Sequence, residues 1–369
     1  MLSRGIGVGV ILGALVLVAA LWFLHSSADD PVLIAAVGDT SGYRVLDEAG
    51  APADPLEAVR PLLNESDVFV FNYEGVILSE LPEPGDCPAR PDQSTFHTST
   101  PIADHLRLAP VAVATLANNH VLDCGERGIG DTLREFDASG IHAVGAGASI
   151  ELACRPLVLE QGGRKLAFLA YLAWPGNEMC ASGDSAGAAC FETCSGEQRI
   201  ASLAESGHSV IVSLHLHLAE SWTQRAHELH IGLVRDVLEA GADIVIGHGP
   251  HMPQGVFEHE HGIGLPSLGN FLFSTDYQMP RSAHRSVVAQ VAIGDGFQSM
   301  SLYPIEIGGD GIPYPAPPHA AAGILNNIIW LSEPFETRFR IIRTDESVRA
   351  ELRRQDGVYS SPMTRYPKP

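Results

Sequence analysis

In the segment 243–251 a continuous apolar run leads directly into two histidines, and this pattern limits the possible folds of the chain more than any other. An uninterrupted apolar run bounded by glycines is typical of an interior strand in a covered sheet, and we expect such a strand at 243–246. α/β folds place their ligands just beyond the ends of these strands. His248 and His251, separated by Gly249 and Pro250, could therefore bind one transition-metal ion, with two solvated turn histidines as the alternative.

Four further apolar runs, at 32–37, 67–72, 111–116 and 210–214, also end in side chains that can ligate a metal ion. Each run has the length and composition of a buried strand. Taken singly, each polar group also fits a turn, a helix cap or a solvated loop. The side chains that we predict as metal ligands, besides His248 and His251, are Asp39, Glu74, Asn119, His215 and His217.

The spacing within two of these motifs assigns more specific roles. His215 and His217 lie two residues apart, so in a strand they point to one face and either or both could be ligands. We predict His120 and Asp123 as catalytic residues, because a carboxylate three residues away can orient the imidazole; an Asx-rich turn is the alternative. Carboxylate, amide and imidazole ligands together suit one or two ions of Mn, Fe or Zn better than Ca²⁺.

The amino-terminal segment 5–24 contains no charged residue. Twenty such residues in a helix span about 30 Å, the thickness of a bilayer core. Arg4 precedes the run and Asp29 and Asp30 follow it, so we expect the body of the protein outside the cytoplasm. An uncleaved single-pass anchor in the cell membrane is the prediction, and a signal peptide cleaved after Ala28 is the alternative.

Cysteine content and charge limit the chemistry further. Six cysteines in an exported body predict disulfide bonds, whose pairing the sequence leaves open; no C-x-x-C pair favours a zinc-thiolate site. The formal net charge of −21 argues against a nucleic-acid partner, because phosphates would be repelled.

Two helices with apolar faces are predicted at 126–139 and 223–240, and a third at 54–64. We expect His227 and His230 on the surface of the second. The predicted domains are an anchor or signal segment at 1–28, a body at 29–307, and a proline-rich linker and tail at 308–369.

Read in chain order, these motifs resemble the CapA-type poly-γ-glutamate and capsule synthesis proteins, a branch of the calcineurin-like metallophosphoesterases. Three departures from that pattern stand out. Ser41 occupies a position where metallophosphoesterases carry histidine, Gly249 replaces one of two adjacent histidines, and the segment 215–220 departs from His-Trp-Gly-x-Glu. These changes leave two ions, one ion or none as alternatives. The motifs that carry the resemblance are 38–39, 72–75, 116–125, 241–251 and 267–271.

The resemblance implies an α/β fold, a four-layer α/β/β/α sandwich of metallophosphoesterase type, preceded here by the predicted transmembrane helix. It also implies a role in the biosynthesis or export of an anionic polymer such as poly-γ-glutamate or capsule. Two function classes stay open. One is a metal-dependent hydrolase acting on a phosphoester or an amide; the other is a non-catalytic accessory subunit of a membrane polymer synthase.

Overall fold

A computed structural model describes residues 30–354, apart from 46–52, 81, 83–84, 86, 88–93, 99–101, 174–175, 177, 218–220, 261, 276–278 and 345–346. The predicted membrane segment 5–24 lies outside this part of the chain. Within the described ranges, no helix combines the length and apolar character needed to cross a membrane.

The described chain alternates strands with mostly short helices. The strands are β1 (Val32–Thr40), β2 (Val68–Tyr73), β3 (Val76–Ile77), β4 (His97–Thr98), β5 (Val111–Thr115), β6 (His142–Val144), β7 (Ala146–Gly147), β8 (Leu157–Gln161), β9 (Arg164–Ala173), β10 (Gly187–Ala188), β11 (Ser209–Leu216), β12 (Ile244–His248), β13 (Phe257–Glu258), β14 (Ile263–Leu265), β15 (Arg285–Gly294), β16 (Gly296–Ile307), β17 (Pro313–Pro315), β18 (Arg340–Arg343) and β19 (Val348–Arg353). The helices are α1 (Arg60–Asn64), α2 (Ile102–Leu106), α3 (Gly125–Ala138), α4 (Ile150–Ala153), α5 (Gly196–Glu205), α6 (Glu228–Glu239) and α7 (Pro318–Ser332), with 3₁₀ turns at Arg281–His284 and Glu333–Phe335.

Two large sheets form the centre of the molecule. The first has the order β18-β19-β16-β15-β1-β2-β5-β6, with β17 added to β16. Within it β1, β2, β5 and β6 run parallel, and β1 also pairs antiparallel with β15. The second sheet has the order β13-β14-β12-β11-β9-β8, with β14, β12, β11 and β9 parallel. Five of the parallel strands, β1, β2, β5, β11 and β12, are those predicted from the apolar runs.

Side chains from the two sheets interlock in one hydrophobic core. Ile34 and Val113 of the first sheet and Phe168 and Ile246 of the second belong to the same buried cluster. The opposite face of the second sheet packs against α5 and α6. On the far side of the first sheet, Phe136 of α3 contacts the β2 aromatic rings. Because both faces of each central strand are covered, these strands are apolar without alternation. The mixed α/β class is therefore confirmed.

The helices differ from prediction at their starts. The helix predicted from residue 54 begins at Arg60, after a series of turns, with Pro61 in its first turn. The helix predicted from residue 223 begins at Glu228, because the His227 side chain accepts a hydrogen bond from the Leu229 backbone and caps it. His227 forms that cap, but the surface prediction for His230 was wrong: it is buried, with 1% exposed.

The region from residue 308 onward also differs from the predicted linker and tail. Pro313 and Pro315 pair with β16 at a sheet edge, where a missing backbone N–H is tolerated, and Pro318 opens α7. Strand β19 then pairs with β16. In β19 the buried Val348 and Ala350 alternate with less buried charged residues, which is the two-residue period of a strand. The intervening charged residues make this period hard to recognise in the sequence.

Candidate metal centre

A buried polar site lies where the carboxyl ends of the parallel strands of both sheets meet. The first sheet sets Asp39 on β1 opposite Asn72 on β2. The second sheet sets His215 on β11 opposite His248 on β12. An isolated bridge between Asp39 and Asn270 ties the turn after β14 to the end of β1. This is the edge at which α/β folds place ligands.

Asp39 is the centre of the hydrogen-bond network. Its Oδ1 accepts from His248 Nδ1 at 3.1 Å and from Asn72 Nδ2 at 2.9 Å, while its Oδ2 accepts from His251 Nδ1 at 3.1 Å. The Gly249 backbone also donates to Oδ2, at 3.3 Å. Burial alone favours the neutral acid, but the hydrogen bonds from the two histidines hold the pKa of Asp39 well below its usual range.

Glu74 faces the same space from the end of β2. Its Oε1 lies 3.8 Å from His120 Nε2 and 3.8 Å from His251 Nε2. Burial raises the pKa of Glu74 to about 8. Burial opposes charge on His251 as well, yet the neighbouring carboxylates Glu74 and Asp39 raise its pKa to about 9. Buried carboxyl groups of this kind favour a compensating positive charge beside them.

The hydrogen bonds also fix which imidazole nitrogens face the site. Carboxylate oxygens only accept, so His248 donates from Nδ1 to Asp39 and leaves Nε2 with a lone pair when neutral. His251 shares its single Nδ1 hydrogen between Asn270 Oδ1, at 2.9 Å, and Asp39 Oδ2, at 3.1 Å. The Asn270 oxygen is the acceptor, since the Asn270 amide nitrogen donates elsewhere, to Ala283 O. The Nε2 of His251 is therefore the atom turned toward Glu74.

His120 and Asp123 form the pair expected from their spacing. His120 Nδ1 lies 2.8 Å from Asp123 Oδ2, and the Phe96 ring stacks on the imidazole at 4.0 Å between ring centroids. The Phe96 backbone N–H donates to the same Asp123 oxygen. This arrangement fixes the plane of the His120 ring and directs its Nε2 toward Glu74.

The other predicted ligands lie around this centre in different ways. His215 is buried, and its Nδ1 is 3.4 Å from Asn72 Nδ2, so it joins the network through Asn72. Burial holds the pKa of His215 well below its usual range and lowers that of His217 to about 4, so both rings are neutral at pH 7. The His215 and His217 ring centroids are 6.4 Å apart. Asn119 is buried in the loop after β5.

Among the described residues, Asp39, Glu74 and His251 present ligand atoms that all lie within 4.8 Å of one another. His248 contacts this group through Asp39, and His120 through Glu74. His215, His217 and Asn119 stand outside the group of three. These ligand atoms fit a divalent transition metal, because buried carboxylate oxygens and imidazole nitrogens converge there. Several buried atoms of the site also lack a hydrogen-bond partner within the described residues, among them Glu74 Oε2, His215 Nε2 and His248 Nε2.

Three asparagines that were not among the predicted ligands or catalytic residues complete the site. Asn72 donates to Asp39, and Asn118 donates to Asn72 Oδ1 at 3.1 Å and to Tyr73 O at 2.7 Å. Asn270 orients His251. Their only sequence signal is position, since each lies at or just beyond the end of a buried run. Neutral amides in such turns resemble ordinary turn residues.

The fold and the site together define an α/β protein with a buried carboxylate and imidazole centre at its strand ends. The chain belongs to the family described as "Bacterial capsule synthesis protein PGA_cap", whose model matches residues 33–275. The family resemblance drawn from the motifs is thereby confirmed.

Two curated relatives carry the CapA name. The chain is 25% identical to "Capsule biosynthesis protein CapA" of Bacillus anthracis over 82% of this chain and 75% of the relative. It is 26% identical to "PGA biosynthesis protein CapA" of Bacillus subtilis (strain 168), over 76% of this chain and 73% of the relative. Among solved structures, a hypothetical protein from Thermus thermophilus aligns with a TM-score of 0.45 and 14% identity, covering 74% of this chain and 99% of that one.

Proposed function

We propose that this protein acts in the biosynthesis or export of an anionic capsule polymer such as poly-γ-glutamate, through a metal-dependent hydrolytic site at the strand ends. The observation that carries the proposal is the buried group of Asp39, Glu74 and His251, in which Glu74 Oε2 has no hydrogen-bond partner among the described residues. The process is supported by family membership and by the names of the two Bacillus relatives. Anchoring in the membrane rests on the segment 5–24 alone.

Asp39, Glu74, His248 and His251 would hold the ion or ions, with Asn119, His215 and His217 available beside them. A bound divalent ion polarises a phosphoryl or carbonyl oxygen and lowers the pKa of water. Mn, Fe or Zn suits this mixture of oxygen and nitrogen ligands.

The protein's own part in the reaction is to position groups and move a proton. His120 Nε2 faces the space beside Glu74 and can transfer a proton to or from the leaving group of a phosphoester or amide. Asp123 keeps the proton on His120 Nδ1 and fixes the ring. The buried Asn72 donates to Asp39 and is itself held by Asn118, so the two amides keep Asp39 in place.

The test is elemental analysis of the purified full chain beside two variants, Asp39→Asn and the double variant His248→Ala/His251→Ala. We expect one or two transition-metal ions per chain in the wild type and a loss in both variants. The exposed His142→Ala is the matched control and should keep the metal. Hydrolysis of phosphoesters and γ-glutamyl amides is then assayed on the metal-loaded chain.

A wild-type chain that binds no metal in buffers free of chelators would contradict the hydrolytic site. Polymer export that persists in cells expressing Asp39→Asn, despite metal loss, would favour instead an accessory subunit of a membrane synthase.

A further inference from the structure

Trp222 lies against the final histidine of the site, at the start of the segment that leads into α6. Its indole ring stacks on the His251 imidazole, with centroids 4.9 Å apart and planes inclined by 26°. Phe273 lies 5.3 Å from the same imidazole at an inclination of 51°. Aromatic contacts therefore restrict the His251 ring, while its edges face Asn270, Asp39 and Glu74.

The Trp222 backbone is attached to the same turn that carries His251. Trp222 N donates to Pro250 O at 3.0 Å, and the buried Gln254 side chain donates from Nε2 to Thr223 O at 2.9 Å. These two hydrogen bonds bracket His251 on one segment and join it to residues 222–223 on the other. The backbone that carries the indole is therefore held beside His251 by hydrogen bonds on both sides of it.

Both partners in the stack hold an uncommon backbone conformation. The φ angle is 63° at Trp222 and 58° at His251, in the left-handed region that bulky residues rarely adopt. Such conformations persist where the surroundings enforce them, and they concentrate at functional sites. Trp222 is also 37% exposed, whereas His251 beneath it is buried.

We propose that Trp222 is a positioning residue that fixes the plane of the His251 imidazole and so aims its Nε2 at the metal position beside Glu74. The inference rests on the proposed metal-dependent function, because it assigns Trp222 a role toward that ion. Trp222 does not touch the ion itself in this scheme. It acts through His251, as groups that orient a ligating histidine do in known metal sites.

The test measures metal binding directly rather than turnover. Mn²⁺ affinity is determined by calorimetry on the metal-stripped full chain and on Trp222→Ala, Trp222→Phe and Trp330→Ala. We expect Trp222→Ala to bind about tenfold more weakly, the lower end of the effect of removing a group that orients a ligand. Trp222→Phe should recover most of the affinity, because a flat ring remains over His251.

Trp330→Ala is the matched control. Its indole is exposed and stacks with Arg225 instead of a histidine, so its loss should leave Mn²⁺ affinity unchanged. A second readout uses emission from the chain's four tryptophans. Co²⁺ bound at His251 should quench the tryptophan fluorescence of the wild type and of Trp330→Ala. In Trp222→Phe the ion should still bind, but most of the fluorescence quenching should be lost.

The outcomes separate the two proposals. Mn²⁺ binding by Trp222→Ala with wild-type affinity, or equal Co²⁺ quenching in Trp222→Phe and the wild type, would overturn the role of Trp222 and leave the metal site standing. A wild-type chain that binds neither ion would overturn the proposed function and this inference together. The Trp222→Phe quenching measurement decides the point should Trp222→Ala fold poorly.

Discussion

At the scale of single residues, the site depends on glycines that let two backbones approach. A Cβ atom at Gly38 would lie 2.0 Å from Gly269 O, and one at Gly247 would lie 1.9 Å from Pro266 O. The turn that approaches so closely also carries Asn270, which orients His251. Gly38 and Gly247 therefore hold the last turn against the strand ends that carry Asp39 and His248.

We predict that Gly38→Ala destabilises the protein by about 1–3 kcal/mol or more, the range for overpacking a close-packed interior. The measurement is the free energy of unfolding in denaturant. Gly232→Ala is the matched control, because Gly232 lies in α6 with nothing within 4 Å of the added Cβ. There alanine should be neutral or stabilise by up to about 1 kcal/mol. Equal effects of the two substitutions would contradict this account.

His230 gives a second prediction, on pH. It is buried on α6, neither ring nitrogen has a hydrogen-bond partner among the described residues, and burial lowers its pKa to about 4. In the unfolded chain the pKa returns to about 6.5. The unfolded state alone therefore binds a proton as the pH falls from about 6.5 to 4, which lowers the stability of the fold over that window.

Accordingly, His230→Leu should gain stability relative to the wild type by about 1–3 kcal/mol between pH 7 and pH 4. Unfolding curves at several pH values measure this difference. The exposed His142→Leu should show no such trend, since it removes no buried imidazole. A His230→Leu difference that is the same at every pH would rule out the explanation.

At the scale of elements, disulfide bonds hold the irregular segments on the sandwich. The prediction of disulfides is confirmed, and the pairs are Cys87–Cys124, Cys154–Cys194 and Cys180–Cys190. Cys124 immediately follows Asp123 and precedes α3. The first bridge therefore joins the insert after β3 to the loop that carries His120, next to Phe96 at the end of that insert.

We expect loss of the Cys87–Cys124 bridge to cost more stability than loss of Cys180–Cys190. The two bridges close loops of 37 and 10 residues. The loss of chain entropy in the unfolded state then stabilises the fold by about 4 and about 3 kcal/mol respectively. Denaturation midpoints of the two double-alanine variants test the order. If the shorter bridge proved the more stabilising, residual structure in the unfolded chain would outweigh loop length.

At the scale of the whole molecule, the first sheet is completed only by the end of the chain. Strand β19 pairs with β16, and helix α7 packs Ile324, Leu325 and Ile328 into the main core. Ala350 and Leu352 of β19 join the same cluster. The segment predicted to be a tail is thus part of the structure that supports β1 and, through it, Asp39.

A chain that ends at Ile307 should therefore lose its cooperative thermal transition, because it exposes the apolar face that α7 and β19 cover. A chain that ends at Arg354 keeps every described element and serves as the control. Calorimetry on both makes the comparison. Similar transitions in the two chains would mean that the residues after Ile307 add nothing to the fold.

Five of the buried parallel strands, and the polar groups at their ends, could be predicted from local sequence patterns. Apolar runs such as 32–37 and 111–116 are local signals, because a strand covered on both faces is short and apolar throughout. The chemical types of Asp39, Glu74 and the histidines were enough to indicate a metal site. Their roles as ligands stay predictions.

Which of those groups meet, and which contacts hold them, became clear from the folded chain. Asp39 and His248 are separated by 209 positions yet share a hydrogen bond. No local sequence pattern encodes a contact between residues so far apart in the chain. The same holds for the disulfide pairs, for the burial of His230 and for the placement of Trp222 on His251. Such contacts depend on how the two sheets stack. That stacking is the result of many weak side-chain interactions spread over the whole chain.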